Sequence, residues 1–342
     1  MMVSSSIKSK PSIRDVAEAA GVSRAAVSLV LNGGQIRIGD EKRQRIIEIA
    51  RKMNYRPHLG ARRLALRKME TLGLAMPDQA SGLSDFEMFE LTQHIALSAR
   101  ENNYDLLLHF YDAAEVPTVA QTEDRCDGSI LVLGHQHEAE MISVWTNSAQ
   151  PHVVVGGGRL PLKPQHFIDL DIAAGVEAAT THLIALGHRD IAYLASFPQT
   201  EKMNGYLAAM KRAKIPVRQE LVMEIGFTEA ALRKSAAAIA AIQPRPTGLV
   251  FTSDAVALRM MRIFRETGLS IPGDFSMVGY DNIETSSFVV PGLTSVRVPT
   301  QKMAETAENQ LIALIEKKTV VPLQSLLPTE LVIRDSTAPR AR

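Results

Sequence analysis

The stretch IRDVAEAAGVSRAAVSLVLNG, residues 13–33, decides the fold of the N-terminal part of this chain. Its first half has apolar residues at the i, i+3, i+4, i+7 spacing of one helix face: Ile13, Val16, Ala17 and Ala20. Ser12 precedes this series and Asp15 follows three residues later, which is the pattern of a reciprocal N-terminal cap. The sequence therefore predicts a first helix that begins after Ser12.

A tight turn and a second helix come next. Gly21 supplies a positive φ, Val22 can act as a hydrophobic staple, and Ser23 can cap the second helix. At 100° per residue, Val27, Val30 and Leu31 fall within one arc, so we expect them to be buried. The residues that then point away from the core are Ala25, Ser28, Leu29 and Asn32, with Arg24 near the same end.

A third helix is predicted from about Asp40 to Met53, ended by Asn54 and Pro57. Its expected core stripe is Ile46, Ile47, Ala50 and Met53. Three short helices of this kind can close one small core. The pattern is typical of a helix-turn-helix domain, and the alternative is a three-helix bundle whose second helix has no special role.

The distribution of charge favours the first interpretation. Residues 1–70 contain 15 basic and 6 acidic residues, a net charge of +9, whereas the remaining 272 contain 23 basic and 31 acidic residues, a net charge of −8. Lys and Arg displace counterions from nucleic-acid phosphates and so supply affinity that does not depend on sequence. A merely solvated charged face would not explain why acidic residues are scarce only here. The sequence therefore predicts a DNA-binding domain.

Several further motifs make the chain resemble the lactose/galactose repressor (LacI/GalR) family of bacterial transcription regulators. In chain order they are IRDVAEAAGVS with VSLVLNG, NYRPHLGARRLA, GHRDIAYL, VGYDN and PGLTSV. The resemblance covers nearly the whole chain. It implies an all-α helix-turn-helix headpiece followed by a two-lobed α/β core like that of periplasmic binding proteins, with doubly wound parallel sheets.

The resemblance assigns DNA contacts to the second helix and to the segment after the third. Arg24 and Ala25 would face base edges in the major groove, while Ser23, Ser28 and Asn32 would face phosphates. Leu29 departs from the family, which commonly has Arg there, and this predicts a different operator half-site. The other DNA contacts implied are Ser12, Tyr55, Arg56, Arg62, Leu64 and Ala65.

The segment from His58 to Leu66 resembles the family's hinge helix, which forms on DNA. Leu64 matches a leucine that wedges into the minor groove at the centre of a palindrome, where apolar side chains unstack a base step and kink the duplex. Gly60 is unusual at its position and lowers helix propensity by about 1 kcal/mol relative to Ala. The alternative for this segment is a flexible basic linker.

After Met69 the chain alternates short apolar runs with helical stretches, which predicts parallel sheets covered by helices. The runs are 72–76, 106–108, 130–133, 153–155, 191–194, 249–251 and 277–278. We expect a headpiece at 1–57, a hinge at 58–69, a core at 70–335 and a tail at 336–342. Lobe one would comprise about 70–166 and 298–326, and lobe two about 167–297 and 327–335. A further strand is expected at 331–334.

Small molecules bind open α/β sheets beyond the carboxyl ends of the strands, which here places an effector in the cleft between the lobes. Asp281 matches a family aspartate that accepts hydrogen bonds from effector hydroxyls, although an Asp here can also cap a turn. Lys202 stands where most relatives have an effector-clamping Arg. The remaining candidates are Phe227, which can equally be core, Asp171, which can equally cap a helix, and Ser253 and Phe86.

Other sequence features bound the function. His135 and His137 form an isolated H-x-H, and Gly156–Gly158 lacks the spacing of a phosphate loop, so no metal and no cofactor are predicted. No nucleophile with its base is visible, which argues against an enzyme. A single cysteine, Cys126, fits the reducing cytosol. The N-terminus has no apolar signal segment and no window spans a membrane, which argues against a secreted transport protein.

The expected assembly is a homodimer on a palindromic operator in double-stranded DNA, because the C-terminus lacks the leucine heptads of a tetramer tether. Trp145 is expected to pack a helix onto a sheet, since its neighbours are apolar. The sequence thus predicts a repressor switched by a small molecule. A sugar or polyol is the first candidate and a purine-like corepressor the second.

Overall fold

The computed structural model of the 342-residue chain describes residues 11–31, 37–55, 68–78, 86–112, 125–133, 138–156, 165–196, 200–318, 321–322 and 324–340. The chain forms two compact units, Met1–Glu70 and Thr71–Arg342. Among the described residues, none of the helices has both the length and the apolar character needed to span a lipid bilayer.

The described residues of the first unit form three helices: α1 (Ile13–Ala20), α2 (Arg24–Leu31) and α3 (Asp40–Lys52). The predicted cap of α1 is present, because the Ser12 hydroxyl accepts from the Asp15 N–H at 3.4 Å while Asp15 Oδ2 accepts from the Ser12 N–H at 2.7 Å. Gly21 ends α1 at φ 67°, and the Ala26 N–H donates to the Ser23 hydroxyl at 3.2 Å. Local sequence signals therefore set both ends of the turn.

The core of this unit is small and close to the predicted one. Its buried members are Val16, Ala17, Ala20, Val27, Val30, Ile46 and Ala50. The prediction that Ile47 is buried is wrong. Its side chain is 41% exposed, and Ile49 packs against the core instead. At 100° per residue, Ile49 lies 60° from Ile46 on the side of Met53, whereas Ile47 lies 100° away on the other side.

The described strands of the second unit form two six-stranded sheets. The sheet of lobe one is formed by β1 (Thr71–Asp78), β2 (Asp105–Asp112), β3 (Gly128–Val132), β4 (His152–Val155), β5 (Phe167–Leu170) and β11 (Gln324–Leu327). The strand order is β11-β5-β4-β3-β1-β2, with all pairs parallel. The described helices of lobe one are α4 (Phe86–Glu101), α5 (Glu138–Thr146) and α11 (Thr300–Ile315).

The sheet of lobe two has the order β12-β10-β9-β8-β6-β7, and only β12 runs antiparallel to its neighbour. Its strands are β6 (Ile191–Ala195), β7 (Val222–Glu224), β8 (Gly248–Phe251), β9 (Ser276–Asp281), β10 (Thr294–Arg297) and β12 (Glu330–Val332). Its helices are α6 (Ile172–Ala185), α7 (Thr200–Arg212), α8 (Glu229–Ala241), α9 (Asp254–Glu266) and the short α10 (Thr285–Phe288). β6 and β8 are buried throughout, as expected for strands covered on both faces.

The structure corrects three predicted bounds in the second unit. Residues 167–170 form β5, which pairs with β4 and β11, so lobe one extends to Leu170 rather than to about residue 166. The predicted tail begins with Ser336, which is fully buried, and its N–H and C=O bond to Gly292 and Met277. The start of the tail therefore belongs to lobe two. The last strand is Glu330–Val332 instead of 331–334.

Trp145 lies where the sequence predicted it. It is 1% exposed and packs within a cluster of lobe one that includes Met141, Ala75 and Val154. Helix α5 is thereby fixed against β1 and β4. Among the apolar neighbours of Trp145, Val144 is not buried, because its side chain is 38% exposed.

Candidate functional site

The outward side of α2 carries the predicted base-reading residues. Arg24 and Ala25 are exposed, Leu29 is 41% exposed and Ser28 is half-buried, while Val27 and Val30 face the core. Because these side chains come from one short helix, the fold places an arginine and two apolar groups on one surface. Such a surface suits the major groove, where arginine binds guanine and apolar groups contact the thymine methyl.

The other predicted DNA residues fall into two groups. Ser12 is exposed but its hydroxyl donates to Asp15 Oδ2 at 2.9 Å, and Ser23 caps α2. Tyr55 is half-buried against the headpiece core, and burial raises the pKa of its hydroxyl. Outside the described residues lie Asn32, Arg56, Arg62, Leu64, Ala65 and the hinge segment 58–66.

A second candidate site lies between the two lobes of the second unit. A cavity of about 560 Å³ is bounded by Glu90 and His94 on α4, by the residues after β9, and by the chain between β10 and α11. Asp281 and Asn282 line it from the carboxyl end of β9. The predicted position of the effector site, beyond the strand ends and between the lobes, thus coincides with a cavity of this structure.

The backbone at this strand end has an uncommon conformation. Asp281 has φ 105° and Asn282 has φ 54°, so two consecutive residues with side chains adopt the left-handed region. Such residues cost on the order of 1–3 kcal/mol each and persist where surrounding contacts hold them. Asp281 Oδ2 accepts a long hydrogen bond, 3.4 Å, from the Asp254 N–H.

Lys202 lies at the inner side of α7 and is engaged by the protein itself. Its Nζ donates to the Thr252 C=O at 2.7 Å and lies 3.8 Å from the centre of the Tyr280 ring. The ring face attracts the ammonium group, and the carbonyl takes one of its three donors. This placement differs from that of a planar guanidinium fork, which would reach a ligand with two parallel hydrogen bonds.

For two of the remaining candidates the structure shows a local structural role. Asp171 caps α6, because its Oδ1 accepts from the Ala174 N–H at 3.1 Å. Phe227 packs against the apolar core of lobe two. Ser253 is the N-cap residue of α9 but makes no side-chain capping bond. Phe86 is the first residue of α4, and the structure describes its backbone only.

A buried carboxylate that the sequence analysis did not single out, Asp254, adjoins the site. It is fully buried at the start of α9, and both its oxygens accept hydrogen bonds from the residues that follow β9 and from β10. Burial raises the pKa of Asp254 to about 6, while these hydrogen bonds and the nearby Arg334 guanidinium lower it in part. The sequence signal for it is its place three residues after the end of the apolar strand β8.

The described residues hold no group of three or more His, Cys, Asp or Glu side chains suited to a metal ion. Two features named in the sequence analysis, His135 with His137 and most of the Gly156–Gly158 run, lie outside that part of the chain. Cys126 is buried and forms no disulfide.

Comparisons with known proteins agree with both units. Residues 12–58 match the family described as bacterial regulatory proteins, lacI family, and residues 180–337 match the periplasmic binding protein-like domain. Residues 12–58 are therefore a DNA-binding domain of the lacI family, and residues 180–337 are a periplasmic binding protein-like domain. The chain is a DNA-binding transcription regulator and not an enzyme.

Three known proteins illustrate how far the match extends along this chain. The HTH-type transcriptional repressor PurR of Actinobacillus pleuropneumoniae serotype 3 is 28% identical over 336 residues, which covers 95% of this chain and 97% of the relative. The lac repressor dimer bound to operator and an anti-inducer has a TM-score of 0.82 at 24% identity and covers 96% of this chain and 100% of that one. A sugar-binding regulator of the lacI family from Escherichia coli has a TM-score of 0.68 at 25% identity, with 80% and 100% covered.

Proposed function

We propose that this regulator represses transcription from a palindromic operator as a homodimer, and that a sugar or polyol bound between its lobes sets its affinity for DNA. The observation that carries the proposal is Asp281, held at a positive φ on the wall of the cavity between the lobes. A carboxylate there accepts hydrogen bonds from ligand hydroxyls. We place the protein in the bacterial cytoplasm, because that is where operator DNA is found.

The lining of the cavity favours a hydroxylated ligand. Glu90, His94, Asp281 and Arg297 offer both donors and acceptors, and a sugar presents both kinds of group around its ring. A purine-like ligand is the second candidate, which the name of the PurR relative supports. Its flat ring would favour an aromatic wall, whereas Phe227, an aromatic residue among the predicted effector contacts, packs against the core of lobe two.

The second copy of the chain is assigned to an exposed apolar surface of lobe two, here called the 288–291 surface. Phe288 and Val290 are 70% and 80% exposed, and Val290 borders a groove of about 510 Å³ with the apolar residues Leu258, Met261, Leu269, Ile271, Val289 and Pro291. Exposed apolar patches of this kind mark protein interfaces. The lac repressor that shares the fold is described as a dimer, and a two-fold interface matches a palindromic site.

A ligand that contacts both lobes acts as a switch because it prefers one arrangement of the lobes. Shifting the population from 1:99 to 99:1 requires about 5.5 kcal/mol of preference for one state. Reciprocity then demands that operator DNA change the affinity for the ligand by the same factor. Both ligand-released and ligand-dependent repression obey this relation, and they differ only in sign.

The test uses the purified full-length chain. A thermal-shift panel of pentoses, hexoses, disaccharides, polyols and purine bases identifies a stabilising ligand, and operator affinity is then measured with and without it. We expect a sugar or polyol to change operator affinity at least tenfold and Asp281→Asn to abolish the change. Asp171→Asn is the control, because asparagine also caps helices and the ligand response should persist. Stabilisation by purine bases alone would overturn the sugar assignment.

A further inference from the structure

The carboxylate of Asp254 connects three segments that are distant in sequence. Its Oδ1 accepts from the Ser295 hydroxyl on β10 at 2.6 Å. Its Oδ2 accepts from the Ser286 hydroxyl on α10 at 2.6 Å and from the Ile283 N–H at 3.1 Å. Because all three partner groups donate, the Asp254 carboxylate acts only as an acceptor, as an ionised carboxylate does.

One of these contacts continues to the unusual backbone at the cavity wall. The Ser295 hydroxyl, which donates to Asp254, accepts from the Asn282 N–H at 3.0 Å. Asp254 is therefore linked to the N–H of Asn282 through Ser295 and to that of Ile283 directly. These two amides lie at and immediately after the residues with positive φ, Asp281 and Asn282.

The surroundings allow little freedom to this arrangement. A Cβ at position 279 would overlap Asp254 Oδ1, so β9 approaches the carboxylate as closely as only glycine permits. On the other side, the Arg334 guanidinium donates to Asn282 Oδ1 at 2.7 Å. The turn after β9 is thus held by Asp254 and Ser295 through its backbone and by Arg334 through a side chain.

We propose that Asp254 is a positioning residue that holds Asp281 and Asn282 in their left-handed conformation and so presents the Asp281 carboxylate to the cavity between the lobes. The assignment of a ligand to Asp281 rests on the proposed function. The conformational part concerns the turn itself and can be tested without any ligand. Asp254 does not line the cavity and acts through Asp281.

Two serines provide a matched pair of variants. Ser295 and Ser286 are both fully buried, and both donate to the Asp254 carboxylate at 2.6 Å. Only Ser295 also binds the Asn282 N–H. Ser295→Ala therefore breaks the link to the turn, and Ser286→Ala removes an equivalent hydrogen bond without touching that link. Asp254→Asn provides a third variant. Its side chain is nearly identical in shape, but an amide NH2 group, which donates, replaces one of the two accepting oxygens.

The first measurement is amide hydrogen exchange of the full-length protein without added ligand. We expect Ser295→Ala and Asp254→Asn to accelerate exchange at Asn282 at least tenfold, and Ser286→Ala to change it less than twofold. The melting temperatures of the two serine variants should fall by similar amounts, since each loses one buried hydrogen bond. Equal exchange in the two serine variants would overturn the proposal, because the carboxylate would then support the lobe only in general.

The second measurement separates the inference from the proposed function. The ligand selected from the sugar, polyol and purine-base panel is titrated into the same variants and into Asp281→Asn. We expect Ser295→Ala to weaken binding at least tenfold and Ser286→Ala less than threefold. If Asp281→Asn leaves binding unchanged while exchange at Asn282 responds as expected, the ligand assignment fails and the positioning role stands.

Discussion

Leu29 is an exposed apolar side chain on the outward side of α2, where the family commonly has arginine. Its exposure of 41% shows that the headpiece core does not use it fully. An arginine at this position would bind guanine, whereas leucine can only make apolar contacts such as that with the 5-methyl group of thymine. The identity of this one residue therefore bears on which operator sequence is read.

We predict that Leu29 reads a thymine methyl. Replacing that thymine by uracil removes one methyl group and should weaken binding about fourfold, the equivalent of about 0.8 kcal/mol for one buried methyl-sized group. Leu29→Ala should lose a similar amount and become insensitive to the change. The measurement is fluorescence anisotropy with thymine and uracil versions of the selected operator, with uracil placed outside the half-sites as the control. If Leu29→Ala responds to uracil as fully as the wild type does, the contact does not exist.

The predicted site residues show which roles can be read from single positions. Ser12 and Ser23 were predicted as helix caps, and both caps are present, because capping depends on residues only three positions apart. Asp171 had two open interpretations, and only the folded structure shows its capping bond. Asp254 was missed because its hydrogen-bonding partners Ser286 and Ser295 lie 32 and 41 residues away in the chain.

At the scale of elements, strands that form continuous apolar runs were predictable, whether they lie inside a sheet or, like β2 and β12, at its edge. The continuous apolar runs that form β3, β6 and β8 are buried throughout in the structure. The edge strands β7 and β11 have partly exposed patterns and gave no such signal. The assignment of β5 to lobe one depends on which strands it pairs with, and that is a property of the tertiary structure.

The C-terminal segment after β12 is held to lobe two by two elements. His188, in the turn between α6 and β6, contacts the Ala338 C=O through Nε2 at 3.1 Å and the Thr247 hydroxyl through Nδ1 at 2.9 Å. Ser276, the first residue of β9, donates to the same carbonyl at 3.2 Å and accepts from the Ala338 N–H at 3.0 Å. Since the carbonyl only accepts, Nε2 carries the proton of the neutral ring.

This arrangement predicts a pH dependence of stability. Burial lowers the pKa of His188 below its usual 6.5, so the unfolded chain binds the proton more readily. The stability that the neutral His188 ring contributes to the folded state is fully present above pH 6.5. It is lost as the pH falls below that value, because the unfolded chain then binds the proton. Denaturant unfolding should show a smaller loss of stability between pH 7 and pH 5 for His188→Gln than for the wild type. Ser276→Ala, which lacks a titrating group, should lower stability by the same amount at both pH values; an unchanged slope in His188→Gln would contradict the assignment.

At the scale of the whole molecule, the two units have opposite net charges, +9 for residues 1–70 and −8 for the remainder. A basic headpiece attracts the phosphate backbone, and an acidic second unit lowers its own tendency to bind DNA non-specifically. A single headpiece with so small a core offers a limited contact area. Two headpieces joined by their second units gain from high effective concentration, which can raise affinity by 10²–10⁴ without a new contact.

The final prediction concerns the 288–291 surface and links assembly to DNA binding. Val290→Glu places a charge on an apolar surface that we assign to the second copy, and burying an unpaired charge is too costly for the interface to persist. We expect a monomer by analytical ultracentrifugation and a loss of operator affinity of at least about 100-fold. Val321→Glu is the matched control, because Val321 is 82% exposed, nearly the same as Val290 at 80%, but lies before β11 of lobe one. If Val290→Glu remains a dimer with full operator affinity while its fold is intact, two copies must associate through another surface, and the gain from paired headpieces must be sought there.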